Sequence, residues 1–158
     1  MNIIIRPALA TDAHSIGGLA RRFASYLREL GDSTEFKLTA ETYLRDGFGA
    51  TPAFAGLVAE QEGVVIGYLL YHFGYDSDAA ARNFFIADLY VDEVARRQGA
   101  GKALMAQAAR VAREGGAEEM IWSVYNPNAL AATFYEQLGA QLITDVFFMK
   151  LKAEEIAS

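Results

Sequence analysis

The chain has 158 residues, 53% of them hydrophobic, with ten Phe, eight Tyr and no Cys, and a net charge of −6. That length and apolar content suit one globular domain spanning residues 1–158 with a full core, and exclude a disordered chain. The missing cysteine excludes disulfides, thiolate metal sites and a Cys nucleophile, and the acidic balance argues against nucleic acid as a partner, because phosphate contacts need a basic surface.

Residues 3–6 read as a first strand, stopped by Pro7. This apolar run is too short for a signal peptide and has no basic segment before it, and no stretch reaches membrane-spanning length. A cytoplasmic protein with no membrane partner is therefore expected. Thr11-Asp12 can cap a helix running to about Leu30, with Ile16, Leu19, Ala20, Phe23 and Leu27 at helical spacing. Gly31-Asp32-Ser33 ends it, Thr39 caps a shorter helix through about Leu44, and residues 46–49 read as a loop. Two apolar runs, 54–60 and 64–75, joined by Gln61-Glu62-Gly63, predict a hairpin. A polar turn at 76–82 leads into a strand at 84–91, and a helix follows over 102–112 until Gly115-Gly116 stops it. A strand at 120–125, a helix opened by Pro127-Asn128 and running to about Leu138, and strand-like residues at 143–151, bent near Asp145, complete the chain. Antiparallel strands followed by two α/β crossovers indicate a mixed α/β (α+β) fold, one central sheet flanked by helices.

The segment Arg96-Arg97-Gln98-Gly99-Ala100-Gly101-Lys102 lies between a strand and a helix. Small residues at 99–101 allow close backbone approach, the helix start offers unpaired N–H groups and the positive end of its dipole, and three cations stand beside it. Such a loop suits a phosphate-bearing ligand. It is not a nucleotide P-loop, because Arg96 and Ala103 occupy positions that need Gly and Ser or Thr. Nor is it a dinucleotide fingerprint, which needs Gly where Leu104 stands. Further on, Asn128, Ala131 and Tyr135 share one face of the last helix. His14 and His72 are the chain's only imidazoles and lie far apart, so no metal is expected.

Written as Arg-x-x-Gly-x-Gly after Leu89-Tyr90-Val91, residues 96–101 resemble the pyrophosphate-binding loop of the GNAT superfamily of acyl-CoA N-acyltransferases. Asn128-x-x-Ala131-x-x-Phe134-Tyr135, followed by Leu138-Gly139, is similar to that family's C-terminal signature. The diamine (spermidine/spermine) N-acetyltransferase branch is the most similar: Ile5-Arg6-Pro7-Ala8, the run Leu44-Arg45-Asp46-Gly47-Phe48-Gly49, Leu57-Val58-Ala59-Glu60, Tyr71-His72-Phe73 and Asp88-Leu89-Tyr90-Val91 all align with it.

The resemblance implies a GNAT-like, mostly antiparallel mixed sheet of about six or seven strands with about four helices, and a homodimer. It implies an acetyl-CoA-dependent N-acetyltransferase acting by direct attack of a small cationic amine: a polyamine, a diamine or a lysine-like amino acid. Alternatives are a protein N-acetyltransferase of the same fold and a non-catalytic acyl-CoA sensor. Acetyl-CoA binding is implied for Leu89, Tyr90, Val91, Arg96, Arg97, Gln98, Gly99, Ala100, Gly101, Lys102, Asn128 and Tyr135. Tyr135 is the expected general acid for the departing thiolate, and a backbone N–H in 89–91 the expected oxyanion donor.

Where the branch carries a Glu associated with deprotonating the amine, this chain has Ala87. Asp88 is the nearest carboxylate, but neighbours in an extended strand point to opposite faces unless a bulge re-aims one of them. Glu60, His72, Asp76 and a water chain remain alternatives for the base. Asp76, Asp78, Asp88, Asp92 and Glu93 are expected to border the acceptor side.

Overall fold

A computed structural model of the chain describes residues 2–156. By its internal contacts the chain divides into two compact units, Met1–Asn128 and Ala129–Ser158. The first contains β1 (Ile3–Pro7), α1 (Ala13–Glu29), α2 (Ala40–Phe48), β2 (Ala55–Gln61), β3 (Val64–Asp76), β4 (Ala81–Val91), α3 (Ala100–Glu114) and β5 (Ala117–Trp122). The second contains α4 (Ala129–Gln137) and one short 3-10 turn, Ala153–Glu155.

The strands form one sheet in the order β1-β2-β3-β4-β5. Its first three pairings are antiparallel and the last, β4 with β5, is parallel. The two hairpin steps each have a local cause. Gln61 pairs with Val64, and the two residues between them, Glu62 and Gly63, take φ values of 51° and 79°. Positive φ at both central positions matches the twist of the flanking strands. Between β3 and β4 the Asp76 carboxylate accepts the N–H groups of Asp78 and Ala79, closing that turn from within.

The core between α1, α2 and the sheet gathers Ile16, Leu19 and Ala20 with Tyr43, Val58, Tyr68, Leu70 and Tyr90. Each large buried apolar side chain contributes about 1.5–3 kcal/mol. Gly17 lets the two helices meet: a Cβ there would stand 2.8 Å from the Ala40 nitrogen. Residues of opposite parity, Tyr71 and Phe73, meet Phe84, and the end of α3 lies so close that a Cβ on Gly115 would reach the Phe73 ring. The helix α3 thus covers the other face.

Arg6 ties β1 to this frame. It donates to both Asp12 oxygens at 2.8 and 2.9 Å and to Glu60 at 2.9 Å, and Asp12 also accepts the Leu9 N–H. The Arg6 guanidinium holds the Asp12 carboxyl below its ordinary pKa, and in return the carboxylates raise that of Arg6. Asp12 therefore anchors the turn before α1 rather than capping that helix.

Four expectations need correction. Among the described residues the sheet has five strands, not six or seven. Residues 143–151 form no strand, and Leu142, Phe147 and Met149 are 88%, 94% and 94% exposed. Their β-propensity requires a ladder to pair with, and the described residues of the second unit contain no strand to supply one. Residues 46–48 belong to α2, which Thr39 caps by accepting the Thr42 N–H at 3.2 Å. Finally, β5 begins and ends three residues earlier than expected. Gly116, at φ 82°, turns the chain directly from the end of α3 into the strand.

Candidate functional site

The parallel ladder between β4 and β5 runs from Arg82 and Ala117 to Ile86 and Trp122. At the next residue of β4 the register with β3 also breaks: Ile86 pairs with Tyr71 and Asp88 with Leu70, leaving Ala87 as the extra residue of a β-bulge. Cross-strand partners share a face. Ile86 therefore lies with Tyr71 on the α3 side, and Asp88 with Leu70 on the α1 side, although the two are only two residues apart. The bulge re-aims Asp88, and Tyr90 after it, toward the α1–α2 core.

There the Tyr68 hydroxyl donates to the Asp88 carboxylate at 2.6 Å. Tyr68 is fully buried. Burial pushes the Asp88 carboxyl up to about 6, against the pull of the Tyr68 hydroxyl and the Leu89 backbone hydrogen bond. The same burial, reinforced by the Asp88 charge, raises Tyr68 well above an ordinary phenol. Asp88 is thereby suited to accept a proton near neutral pH, while Tyr68 keeps its own. The other carboxylates and the imidazole weighed as bases are engaged elsewhere: Glu60 by Arg6, Asp76 by its own turn, and His72 by stacking on Phe85 at 5.0 Å.

From Ala87 to Val91, β4 has no ladder with β5, and this open edge leads through the short turn Glu93–Ala95 to residues 96–102. Arg97 and Gly99 take φ values of 62° and 89°, and Gly99 is the N-cap of α3. Open space surrounds the Gly99 Cα, so its conformation rather than crowding calls for glycine. The first bond into the helix runs from the Ala103 N–H to the Gly99 carbonyl. The N–H groups of Ala100, Gly101 and Lys102 precede it and lack i−4 partners, which makes this end of α3 receptive to an anion.

Arg96 turns away from that end. Its Nε donates to the Val91 carbonyl at 3.1 Å, and its guanidinium lies 4.9 Å from the Tyr26 ring centre and 5.5 Å from that of Tyr90. Glu93 is 3.7 Å from its Nη1. The Tyr26 hydroxyl in turn donates to the Oδ1 of Asn128 at 2.9 Å, and Asn128 is only 6% exposed. Beside this cluster an open pocket of about 420 Å³ is lined by Arg21, Arg22, Tyr26, Glu29, Asp92 and Glu93, with Arg22 bridged to Asp92. Gln98 meets Gln61 at 3.2 Å.

Asp88, Leu89, Tyr90, Val91, residues 96–102 and Asn128 therefore all belong to the first unit. Tyr135 is a half-buried residue of α4 in the second, its ring 5.2 Å from that of Phe134. Among the described residues no group of three or more His, Asp or Glu stands close enough to hold a metal, and no helix is long and apolar enough to cross a membrane. Tyr68 and Tyr26 escaped the sequence reading. A Tyr inside an apolar strand or on a helix face carries no signal of its hydrogen-bond partner.

The family model described as "Acetyltransferase (GNAT) family" matches residues 21–140. Thialysine N-epsilon-acetyltransferase from Bos taurus is 36% identical over 151 residues, covering 90% of this chain and 86% of the relative. L-ornithine N5-acetyltransferase from Arabidopsis thaliana is 34% identical over 93 residues, covering 59% and 41%. In fold, the chain resembles an aminoglycoside N-acetyltransferase solved in complex with CoA, with a TM-score of 0.71 at 20% identity, covering 95% of this chain and all of that one.

Proposed function

This chain belongs to the GNAT acetyltransferase family and is an acetyl-CoA-dependent N-acetyltransferase, and from that premise we propose that its acceptor is the terminal primary amine of a small basic amino acid, with diamines and polyamines as the next class to test. The single observation that carries the reading is the bulge at Ala87, which brings a carboxylate of raised pKa to the face beside the open edge of β4. The names of the thialysine and ornithine acetyltransferases support the acceptor class. So does Glu29 in the pocket adjoining the end of β4, since a carboxylate holds an ammonium by charge-assisted hydrogen bonds.

Acetyl-CoA supplies an activated thioester. In our reading the N–H groups of Ala100, Gly101 and Lys102, with the charges of Arg97 and Lys102, hold its pyrophosphate. The unpaired edge from Leu89 to Val91 aligns the pantetheine arm and offers an N–H to the thioester oxygen. Asp88 accepts the proton of the attacking amine, directly or through water, and takes the place of the Glu that Ala87 lacks. Tyr135 returns a proton to the thiolate; with a phenol near 10 and a thiol near 8.5, that transfer depends on placement rather than driving force.

The test is release of free coenzyme A with a panel of amines: lysine, ornithine, thialysine, a diamine, spermidine, an aminoglycoside and a peptide N-terminus. Turnover with the basic amino acids above all others supports the assignment. Acetylation of the peptide or the aminoglycoside alone overturns the acceptor class. We also propose a homodimer, supported by the exposed apolar run Leu142, Ile143, Val146, Phe147, Phe148, Met149 and Leu151, which needs cover in water. Sedimentation at the 17.2 kDa monomer mass at all concentrations would refute it.

A further inference from the structure

The first arginine of the glycine loop spends its donors and its charge on the protein. Arg96 Nε is bound to the Val91 carbonyl, its planar group covers Tyr26 and Tyr90, and Glu93 balances the charge at one edge. Tyr26 extends the chain of contacts by donating its hydroxyl to Asn128 Oδ1. Both ends matter: Val91 closes the open edge of β4, and Asn128 is the last residue before α4.

We infer that Arg96 and Tyr26 are positioning residues for the coenzyme site, acting through Asn128: Arg96 fixes the Tyr26 ring, and the Tyr26 hydroxyl fixes which way the Asn128 amide faces. An amide is ambiguous by 180°, because its oxygen and nitrogen edges have nearly the same shape. In the structure the Tyr26 phenol donates to Oδ1, which turns the NH2 edge away from α1. Guanidinium stacking on the ring holds the phenol in place, an arrangement stronger where water is excluded, and both Tyr90 and Asn128 are nearly fully buried. The loop then divides its labour: Arg97 and Lys102 supply charge, and Arg96 supplies geometry. This inference rests on Asn128 contacting the coenzyme, as proposed above.

The experiment measures acetyl-CoA affinity by calorimetry across a range of salt, together with kcat and KM, for Tyr26→Phe, Arg96→Gln, their double variant, Asn128→Ala and Lys102→Ala. Tyr26→Phe keeps the ring under Arg96 and removes one hydroxyl. It should weaken acetyl-CoA binding roughly threefold to tenfold, the worth of one hydrogen bond, and raise the KM for acetyl-CoA with kcat nearly unchanged. Arg96→Gln should weaken binding comparably while leaving the salt dependence as steep as in the wild type. Lys102→Ala should flatten it, because a charge that meets phosphate contributes most to that slope. The double variant should be little worse than either single one, since the two residues act through one another. A flattened salt dependence in Arg96→Gln would make Arg96 a phosphate ligand and overturn the inference. Normal affinity in Tyr26→Phe, with Asn128→Ala impaired, would overturn the relay alone. Normal affinity in Asn128→Ala would overturn the reading of Asn128 and the relay with it.

Discussion

Tyr68 donates to Asp88 at 2.6 Å across two strands whose register has shifted by one residue just beyond the pair. Without the shift Asp88 would face α3 and the two groups could not meet. The bond gives Asp88 one strong donor that pulls its pKa down, and burial outweighs that pull, so the carboxyl titrates near 6 rather than at its ordinary 3.8.

Removing that carboxylate should separate stability from activity. A carboxyl whose folded pKa lies above its unfolded value stabilises the fold while protonated. That contribution is present below about 3.8 and is lost as pH rises through about 6. Asp88→Asn should therefore lose turnover yet unfold at a higher temperature than the wild type at pH 8, by an amount worth up to about 3 kcal/mol. The gain should vanish below pH 4. Thermal melts at the two pH values check the sign. Equal melting at pH 8 would mean that Asp88 is well solvated.

Tyr68→Phe probes the same bond from the other side. The hydroxyl pulls the Asp88 pKa down, so its loss should push it higher. The acidic limb of the kcat/KM profile should then move to higher pH, with the alkaline limb in place. An unmoved acidic limb would show that Asp88 does not govern it.

At the glycine loop, Gly101→Val places a branched side chain in the first turn of α3, where the backbone N–H groups are to meet phosphate. Coenzyme affinity should be abolished while the protein still melts cooperatively. Unchanged affinity by calorimetry would remove this loop from the binding site.

Tyr135→Phe deletes one oxygen and little packing. Acetyl-CoA affinity should survive, and turnover should fall by roughly 10²–10⁴-fold, the typical loss of a general acid. If single-turnover rates remain normal, Tyr135 serves only to pack α4.

Asp12→Ala breaks the anchor between β1 and α1. It leaves the part-exposed Arg6 guanidinium with Glu60 as its remaining partner, so the loss should be about 1–3 kcal/mol, the worth of hydrogen bonds to a charged group. In the wild type, Asp12 contributes stability at pH values above about 3.8, and that stability is lost as pH falls further. Acid unfolding of the variant should lose this component.

Much of this was legible in the sequence. The hairpin at Glu62-Gly63, the Thr39 cap and the helix opened by the glycine loop follow from local chemistry that needs no tertiary context. The facing of Asp88 was not legible. Alternation assigns it to one side, and only the pairing of β4 with β3 reveals the extra residue at Ala87. Arg96 was readable as a cation but not as one occupied by Tyr26, because a ring some seventy positions upstream leaves no trace in the local pattern. The run 143–151 has the composition of a strand, but composition cannot supply the neighbour that makes one.

The bulge sets apart the one residue that makes it. Ala87 is a small, exposed side chain, and most substitutions there should pass unnoticed by the fold. Deleting it should also spare the facing of the strand: Ile86 keeps its place opposite Tyr71 and Asp88 its place opposite Leu70, so the shortened strand pairs regularly and Asp88 and Tyr90 stay on the α1 side. The chemistry near Asp88 is thus protected at this position against a point change and a single lost codon alike.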